Sequence, residues 1–176
     1  RDAVLAARTG FNSWSKATAY NRGQVLYRIA EVMEGRKDQF ISDIQDAEAV
    51  SAKKATHQTD QAIDRVLWYA GWADKYAQVL GNTNPVSGPF FNFSIPEPTG
   101  VVAAVAPADS SLLGLISVIA PIITSGNSVI VIASTASPIP AITLSECLAT
   151  SDVIAGNINI LTGDPAPLMP WLAAHA

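Results

Sequence analysis

The sequence predicts an α/β fold in which amino-terminal helices pack on half of a parallel sheet, with one extended strand between the two parts. Apolar residues recur every three or four positions in the first part of the chain, which is the period of amphipathic helices. After Gly100, β-branched strands alternate with helical segments, as in βαβ units. These strands lack polar alternation, which predicts burial on both faces and a parallel sheet covered by helices.

Residues 1–84 are predicted to be helical. The apolar positions of a first helix are Leu26, Ile29, Met33, Phe40, Ile41 and Ile44, and Arg36, Lys37 and Asp38 lie on its other side. A second helix is expected from about Gln58 to Leu80, where Gly81-Asn82 is a stop signal. Its stripe comprises Ile63, Val66, Leu67, Ala70, Ala73, Tyr76, Ala77 and Leu80. Because both helices are amphipathic, each must cover another element.

Residues 85–99 are predicted to form an extended arm. Phe91, Phe93 and Ile95 alternate with Asn92 and Ser94, which is the period of a half-buried strand. Prolines at 85, 89, 96 and 98 bracket this strand and favour the edge of a sheet over its centre. We therefore expect residues 86–98 to pair with another segment and to hold a homo-oligomer together.

Residues 100–176 carry the βαβαβ pattern. The predicted strands are Val101–Ala106, Ser128–Ala133 and Asn157–Leu161, and the predicted helices are Leu112–Thr124, Pro138–Thr150 and Pro165–Ala174. Three parallel strands are half of a doubly wound, Rossmann-like sheet. We therefore expect this part to be incomplete at its carboxy end and to need either the remainder of the fold or a second copy.

Composition argues against several function classes. The net charge is −4, and residues 76–176 contain five acids but no Lys or Arg, which argues against a nucleic-acid partner. The most apolar stretch, Leu112–Ile123, is short and contains Pro121, so no membrane span is expected. A single cysteine and the lack of a secretory signal favour the cytoplasm. No Cys/His cluster has the spacing of a metal site.

Several segments together resemble the aldehyde dehydrogenase superfamily over almost the whole chain. They are Asn12–Lys16 with Asn21–Glu34, Trp68–Tyr76, Glu97–Pro107, Ala120–Val131 and Gly156–Gly163. Each segment is weak evidence alone, but their shared order and spacing are specific. The chain thus resembles the amino-terminal half of the family's cofactor-binding domain. It is also similar to the degenerate second module of two-module aldehyde dehydrogenases.

The resemblance implies oxidation of an aldehyde to a carboxylate with NAD or NADP, in which a cysteine thiolate attacks the aldehyde carbon. It also implies an oxyanion site built from an asparagine amide and a backbone N–H. By the same resemblance, the nucleophilic cysteine, the glutamate base and the turn that faces the pyrophosphate are expected beyond residue 176. We therefore expect this chain to be a partial, non-catalytic module.

The oxyanion position is altered. Where the family reads Pro-Trp-Asn after the first strand, this chain reads Pro107-Ala108-Asp109. An ionised carboxylate at Asp109 would repel a developing oxyanion, and only a protonated one could partly substitute for the amide. The alternative, which we favour, is that Asp109 is the N-cap of the 112–124 helix.

The ribose-binding position is altered as well. The family's Lys-Pro-Ser-Glu run reads Ile132-Ala133-Ser134-Thr135 here, and Ser134 remains as a polar contact. Loss of the charged lysine donor would weaken dinucleotide binding by about tenfold to a hundredfold. By resemblance, the cofactor-contacting positions are Ala106, Pro107, Ala108, Ile132, Ser134 and Thr135.

The remaining polar and aromatic residues are interpreted as structural. Cys147 is predicted to be a buried thiol and not a nucleophile. His57 and His175 are isolated, so surface positions are expected. Other expected structural residues are the packing cluster Trp68, Tyr69, Trp72 and Tyr76 and the turn glycines Gly156 and Gly163. Three functions stay open: part of a working dehydrogenase, a scaffolding module without cofactor, or a binding domain for another small molecule.

Overall fold

The computed structural model describes residues 1–175. The helices are α1 (Asp2–Trp14), α2 (Ala19–Gly35), α3 (Lys37–Glu48), α4 (Ala52–Ala70), α5 (Tyr76–Leu80), α6 (Leu113–Thr124), α7 (Ile139–Ala149) and α8 (Pro165–Ala173). The strands are β1 (Asn82–Thr83), β2 (Phe93–Ser94), β3 (Val101–Val105), β4 (Ser128–Ile132) and β5 (Ile158–Leu161). The last residue of the predicted 100–176 segment lies outside the described residues.

The main sheet is parallel, as predicted, with the order β3-β4-β5. Val101 lies opposite Ser128 and Val105 opposite Ile132, while Val129 lies opposite Ile158. The central strand β4 is buried along its whole length, because it is hydrogen-bonded on both sides and covered on both faces.

Helices cover the sheet on two sides. Ile130 of β4 packs against Val4 and Ala7 of α1, whereas Val129 and Val131 face the larger core formed with α6 and α7. Helices α2, α3 and α4 lie outside α6 and α7 as a further layer. Helix α6 is apolar on almost all sides because it packs against the sheet on one side and against the amphipathic amino-terminal helices on the other.

The carboxyl end of α6 is capped by the helical layer. The indole Nε1 of Trp14 donates to the carbonyl of Ile123 at 2.8 Å, and Nε of the buried Arg22 donates to the carbonyl of Thr124 at 3.1 Å. The last carbonyls of a helix have no partner within it, and a cation at this end is also favoured by the helix dipole. Arg22 and Trp14 therefore fix α1 and α2 to α6.

Both predicted long helices were wrong in their extent. The first divides at Arg36, whose φ of −115° and ψ of 20° are not helical. The second begins earlier, at Ala52 after the N-cap Ser51, and ends at Ala70, before Gly71 and the turns that lead to α5. Serine is a strong N-cap residue and glycine is a poor helix former, which accounts for where α4 begins and ends.

The arm also differs from the prediction. Within residues 1–175 nothing half-buries this strand, since Phe91, Phe93 and Ile95 are 77%, 55% and 62% exposed, and the expected pairing across a subunit boundary stays a prediction. The strand is reduced to Phe93–Ser94, which pairs antiparallel with Asn82–Thr83 just before it in the chain. The alternating pattern therefore identified apolar side chains that residues 1–175 leave mostly exposed.

No helix within residues 1–175 is both long enough and apolar enough to cross a membrane.

Candidate functional site: the carboxyl edge of the sheet

The carboxyl ends of β3, β4 and β5 lie at one edge of the sheet and lead into three turns. These are residues 106–112 before α6, 133–138 before α7 and 162–164 before α8. In open α/β sheets, ligands bind in the crevice outside this edge, and phosphates bind at the helix amino ends there. All seven of the predicted site positions lie in or beside the first two turns.

The prediction that Asp109 caps the following helix was wrong. Helix α6 begins at Leu113, so Asp109 lies too far ahead of it, and its side chain is exposed. Instead, Oγ of Ser110 accepts from the N–H of Gly114 at 2.9 Å. The N–H and the hydroxyl of Ser111 both donate to Oε1 of Glu48, at 2.9 and 2.6 Å. A carboxylate from α3 thus lies at the amino end of α6.

Several effects act on the Glu48 carboxylate. Burial pushes its pKa upward, but the hydrogen bonds from Ser111 and Gln58 and the charge of Lys54 bring that pKa below its ordinary value. The group is therefore ionised near neutral pH. It places a negative charge beside the amino end of α6, where the helix dipole favours such a charge.

The turn after β4 is closed by internal hydrogen bonds. Ile132 and Ser134 are buried, and Oγ of Ser134 donates to the carbonyl of Ala108 at 2.7 Å while accepting from the N–H of Ser137. The hydroxyl of Ser137 donates to the carbonyl of Ala47 at 2.8 Å. Ser134, expected from the sequence to remain as a polar contact, therefore has its hydroxyl bonded within the chain.

The third turn leads into α8, whose first backbone N–H donors are either hydrogen-bonded within the chain or absent because the residue is proline. Oδ1 of Asp164 accepts from the N–H of Ala166 at 3.0 Å, and the neighbouring Pro165 and Pro167 have no N–H. The hydroxyl of Thr135, from the preceding turn, donates to the carbonyl of Gly163 at 3.1 Å. Such a helix end offers little to a phosphate.

The exposed residues of the crevice are small, apolar or acidic. Pro107 and Ala108 are exposed next to Asp109, Thr135 is exposed in the second turn, and Ala106 is buried beneath the turns. No Lys or Arg occurs in these turns, whereas Asp109 and Asp164 are exposed carboxylates. Such a surface disfavours anions.

The single cysteine lies away from the crevice. Cys147 is buried on α7, and its Sγ lies 3.9 Å from Nη1 of Arg36. Burial raises the pKa of this thiol, although the Arg36 charge acts in the opposite direction. A protonated, inaccessible thiol is a poor nucleophile, in agreement with the prediction of a buried thiol.

The remaining predicted structural residues lie outside the turns. His57 and His175 are exposed, and residues 1–175 contain no group of three or more His, Cys, Asp or Glu side chains that could hold a metal. Trp68 packs edge-on against Tyr69 and beside Trp72, yet it is 55% exposed. The predicted turn glycines, Gly156 and Gly163, both have positive φ, at 81° and 141°.

Glu48 and Asp164 are site residues that the sequence interpretation missed. Asp164 has a local signal, because Asp followed by Pro is typical of a helix start. Glu48 has none, since its partner Ser111 is 63 residues away in the sequence.

Comparison with known proteins identifies the fold. The model of the aldehyde dehydrogenase family matches residues 1–176. The chain is 31% identical to cytosolic aldehyde dehydrogenase 1 of Elephantulus edwardii, over 92% of this chain and 32% of that protein. It is 30% identical to the mitochondrial aldehyde dehydrogenase of Rattus norvegicus, over 98% of this chain and 34% of that protein.

A solved structure agrees over the same extent. Betaine aldehyde dehydrogenase of Staphylococcus aureus, a P449M mutant in complex with NAD+, superposes with a TM-score of 0.90 at 26% identity. The match covers 98% of this chain and 35% of that one. The chain therefore spans about a third of the length of these relatives. The resemblance read from the sequence is confirmed: the chain belongs to the aldehyde dehydrogenase family and corresponds to an amino-terminal part of it.

Proposed function

We propose that this chain is part of the cofactor-binding domain of an aldehyde-dehydrogenase-like protein, and that it is a non-catalytic module which holds neither NAD nor NADP. The observation that carries the proposal is the hydrogen bonding at the amino ends of the helices that begin at the crevice. Glu48 accepts from Ser111 just before α6, Ser110 accepts from Gly114 in the first turn of α6, and Asp164 with two prolines closes the amino end of α8. A phosphate bound at such ends would need free N–H donors, whereas the N–H groups of Ser111, Gly114 and Ala166 are bonded to side chains within the chain.

The residues at the crevice do not fit a dinucleotide. NAD and NADP carry negative phosphates, and the exposed charges of the crevice turns are the carboxylates of Asp109 and Asp164. At the position of the family's ribose-binding lysine, Ile132 is fully buried, and the adjacent Ser134 hydroxyl is bonded to Ala108. Asp109 cannot replace the oxyanion amide while it is ionised.

Hydrogen exchange tests this proposal locally. We expect millimolar NAD or NADP to leave amide exchange unchanged in residues 106–112 and 133–138 of the intact protein. A local readout is needed because a dinucleotide bound elsewhere in a longer protein would also raise its melting temperature. Slowed exchange in both turns on addition of either dinucleotide would refute the proposal.

A second candidate function is a working aldehyde dehydrogenase, in which further sequence supplies the cysteine and the base. Its support is the close superposition on a relative in complex with NAD+. The test is aldehyde-dependent formation of NADH by the intact protein. Turnover together with slowed exchange in the two turns would favour this candidate. If neither is observed, the non-catalytic module is favoured.

The module is then structural, and we propose that it joins copies of the protein through residues 86–98 in the cytoplasm. The apolar arm supports the first part, because its aromatic side chains are uncovered in residues 1–175. A relative named as cytosolic supports the location in the cytoplasm, although another relative is named as mitochondrial. Cell fractionation with antibody detection distinguishes the two compartments.

A further inference from the structure

We propose that Glu48 is a positioning residue whose carboxylate fixes the turn between β3 and α6 against α3 and α4. Glu48 adjoins the crevice described above, and its role there does not depend on whether a dinucleotide binds. This residue lies outside all three crevice turns.

The geometry joins three elements through one side chain. Oε1 of Glu48 accepts both bonds from Ser111, and Oε2 accepts from Nε2 of Gln58 on α4 at 3.0 Å. Ser111 is only 1% exposed, so its N–H has no ready replacement partner in water. The adjacent carbonyl of Ala47 accepts from Ser137, which ties the same helix end to the turn after β4.

The charge of Glu48 strengthens this tie. Hydrogen bonds to an ionised acceptor are about twice as strong as neutral ones, and a negative charge is favoured at the amino end of α6. The groups that face the carboxylate are Gln58 and Lys54 from α4 and Ser111 before α6. One cation and three hydrogen bonds thus balance its partial burial.

Two variants separate charge from shape. Glu48→Ala removes all three bonds, whereas Glu48→Gln keeps one acceptor oxygen and loses the charge. The buried Oε1 of Gln58 has no hydrogen-bond partner within residues 1–175, so this amide can accept from the new glutamine. We therefore expect Glu48→Gln to be the milder change. Glu31→Gln is the matched control, because Glu31 makes only an exposed ion pair with Arg28.

The measurement is hydrogen exchange of residues 106–113 in the intact protein at neutral pH. We expect about tenfold to a hundredfold faster exchange in Glu48→Ala, the change that follows from losing hydrogen bonds to a charged group. Glu48→Gln should fall between this variant and the wild type, and Glu31→Gln should match the wild type. Exchange in Glu48→Ala within twofold of the Glu31→Gln control would overturn the proposal.

A pH series adds a readout that a merely space-filling side chain would not move. The folded-state pKa of Glu48 is lowered, so its contribution is fully present above the ordinary carboxyl pKa and is lost as pH falls through the lowered one. The difference in melting temperature between the wild type and Glu48→Gln should therefore shrink to zero in acid. A constant difference would contradict the role of charge. If Glu48→Ala does not fold, Ser111→Ala provides the second test: unchanged exchange in both Ser111→Ala and Glu48→Gln would overturn the proposal.

Discussion

The contact between α1 and the turn before β5 depends on two facing glycines, and a methyl group at one of them measures how rigid that contact is. A Cβ built on Gly10 would lie 2.6 Å from the backbone nitrogen of Asn157 and 2.6 Å from the carbonyl carbon of Gly156. A Cβ on Gly156 would in turn lie 2.2 Å from the carbonyl oxygen of Ala6. Because these neighbours are backbone atoms, neither side can relieve the clash by rotating a side chain.

Gly10→Ala sets two effects of opposite sign against each other. Alanine in place of a helical glycine gains up to about 1 kcal/mol of helix propensity. Overpacking typically costs about 1–3 kcal/mol, and movement of two backbone segments belongs at the upper end of that range. We therefore expect a net loss of about 1–2 kcal/mol. The control is Gly35→Ala in α2, where an added Cβ has no neighbour within 4 Å. There no clash opposes the propensity gain, which is small because Gly35 is the last residue of α2, so stability should stay equal or rise.

Thermal unfolding of the two variants, compared with the wild type, decides between the effects. The expected result is a lower midpoint for Gly10→Ala and an equal or higher midpoint for Gly35→Ala. A midpoint for Gly10→Ala at or above that of the wild type would show that α1 can move away from β5 at little cost. The close packing inferred from the two glycines would then be refuted.

Three further predictions concern a thiol, the arm and a helix cap. Cys147 is buried with a raised pKa, so iodoacetamide should label it only as fast as the protein opens; rapid full labelling of the native protein would contradict this. Replacing Phe91 and Phe93 with aspartate should yield a smaller species in sedimentation, unlike the control Tyr20→Asp, because Tyr20 is an exposed aromatic residue on α2; an unchanged oligomer would exclude the arm as the interface. Asp164→Ala should lose about 1 kcal/mol of stability with its N-cap bond, and equal denaturation midpoints would argue against that cap.

The strands of the main sheet were predictable because their signal is local. Residues 101–105 and 129–132 are continuous apolar runs that follow turns, and β3 and β4 agree with the prediction to within one residue. The break at Arg36 was not predictable from periodicity. Met33 and Phe40 on either side of it are both fully buried, so the apolar pattern continues across two helices as it would along one.

The arm shows a different limit. Alternation in residues 91–95 correctly marked apolar side chains on an extended segment, but a pattern identifies a face and not the surface that covers it. In residues 1–175, only Asn82–Thr83 pairs with Phe93–Ser94, and the aromatic side chains remain exposed. What covers them is a question of assembly, which is why the oligomer stays a prediction.

The error at Asp109 has the same physical origin. Asp109 is the first residue of a capping type before α6, yet two serines lie closer to the start of that helix. The hydroxyl of Ser110 accepts from the N–H of Gly114 in α6, and the N–H of Ser111 donates to Glu48. A cap supplied by another element leaves no local trace, because only the fold brings residue 48 next to residue 111.

The charge distribution and the helix ends support one interpretation of the crevice. Residues 76–176 have no Lys or Arg, so no cation of their own can hold a phosphate at the sheet edge. The amino ends of α6 and α8 still carry unpaired N–H groups and a positive partial charge, and an empty end would cost stability. Ser110 and Asp164 each accept from one of these N–H groups, and Glu48 places a negative charge beside the amino end of α6. Under the proposed function, the module keeps its fold without a ligand, and restoring an asparagine at position 109 alone would leave both helix ends filled.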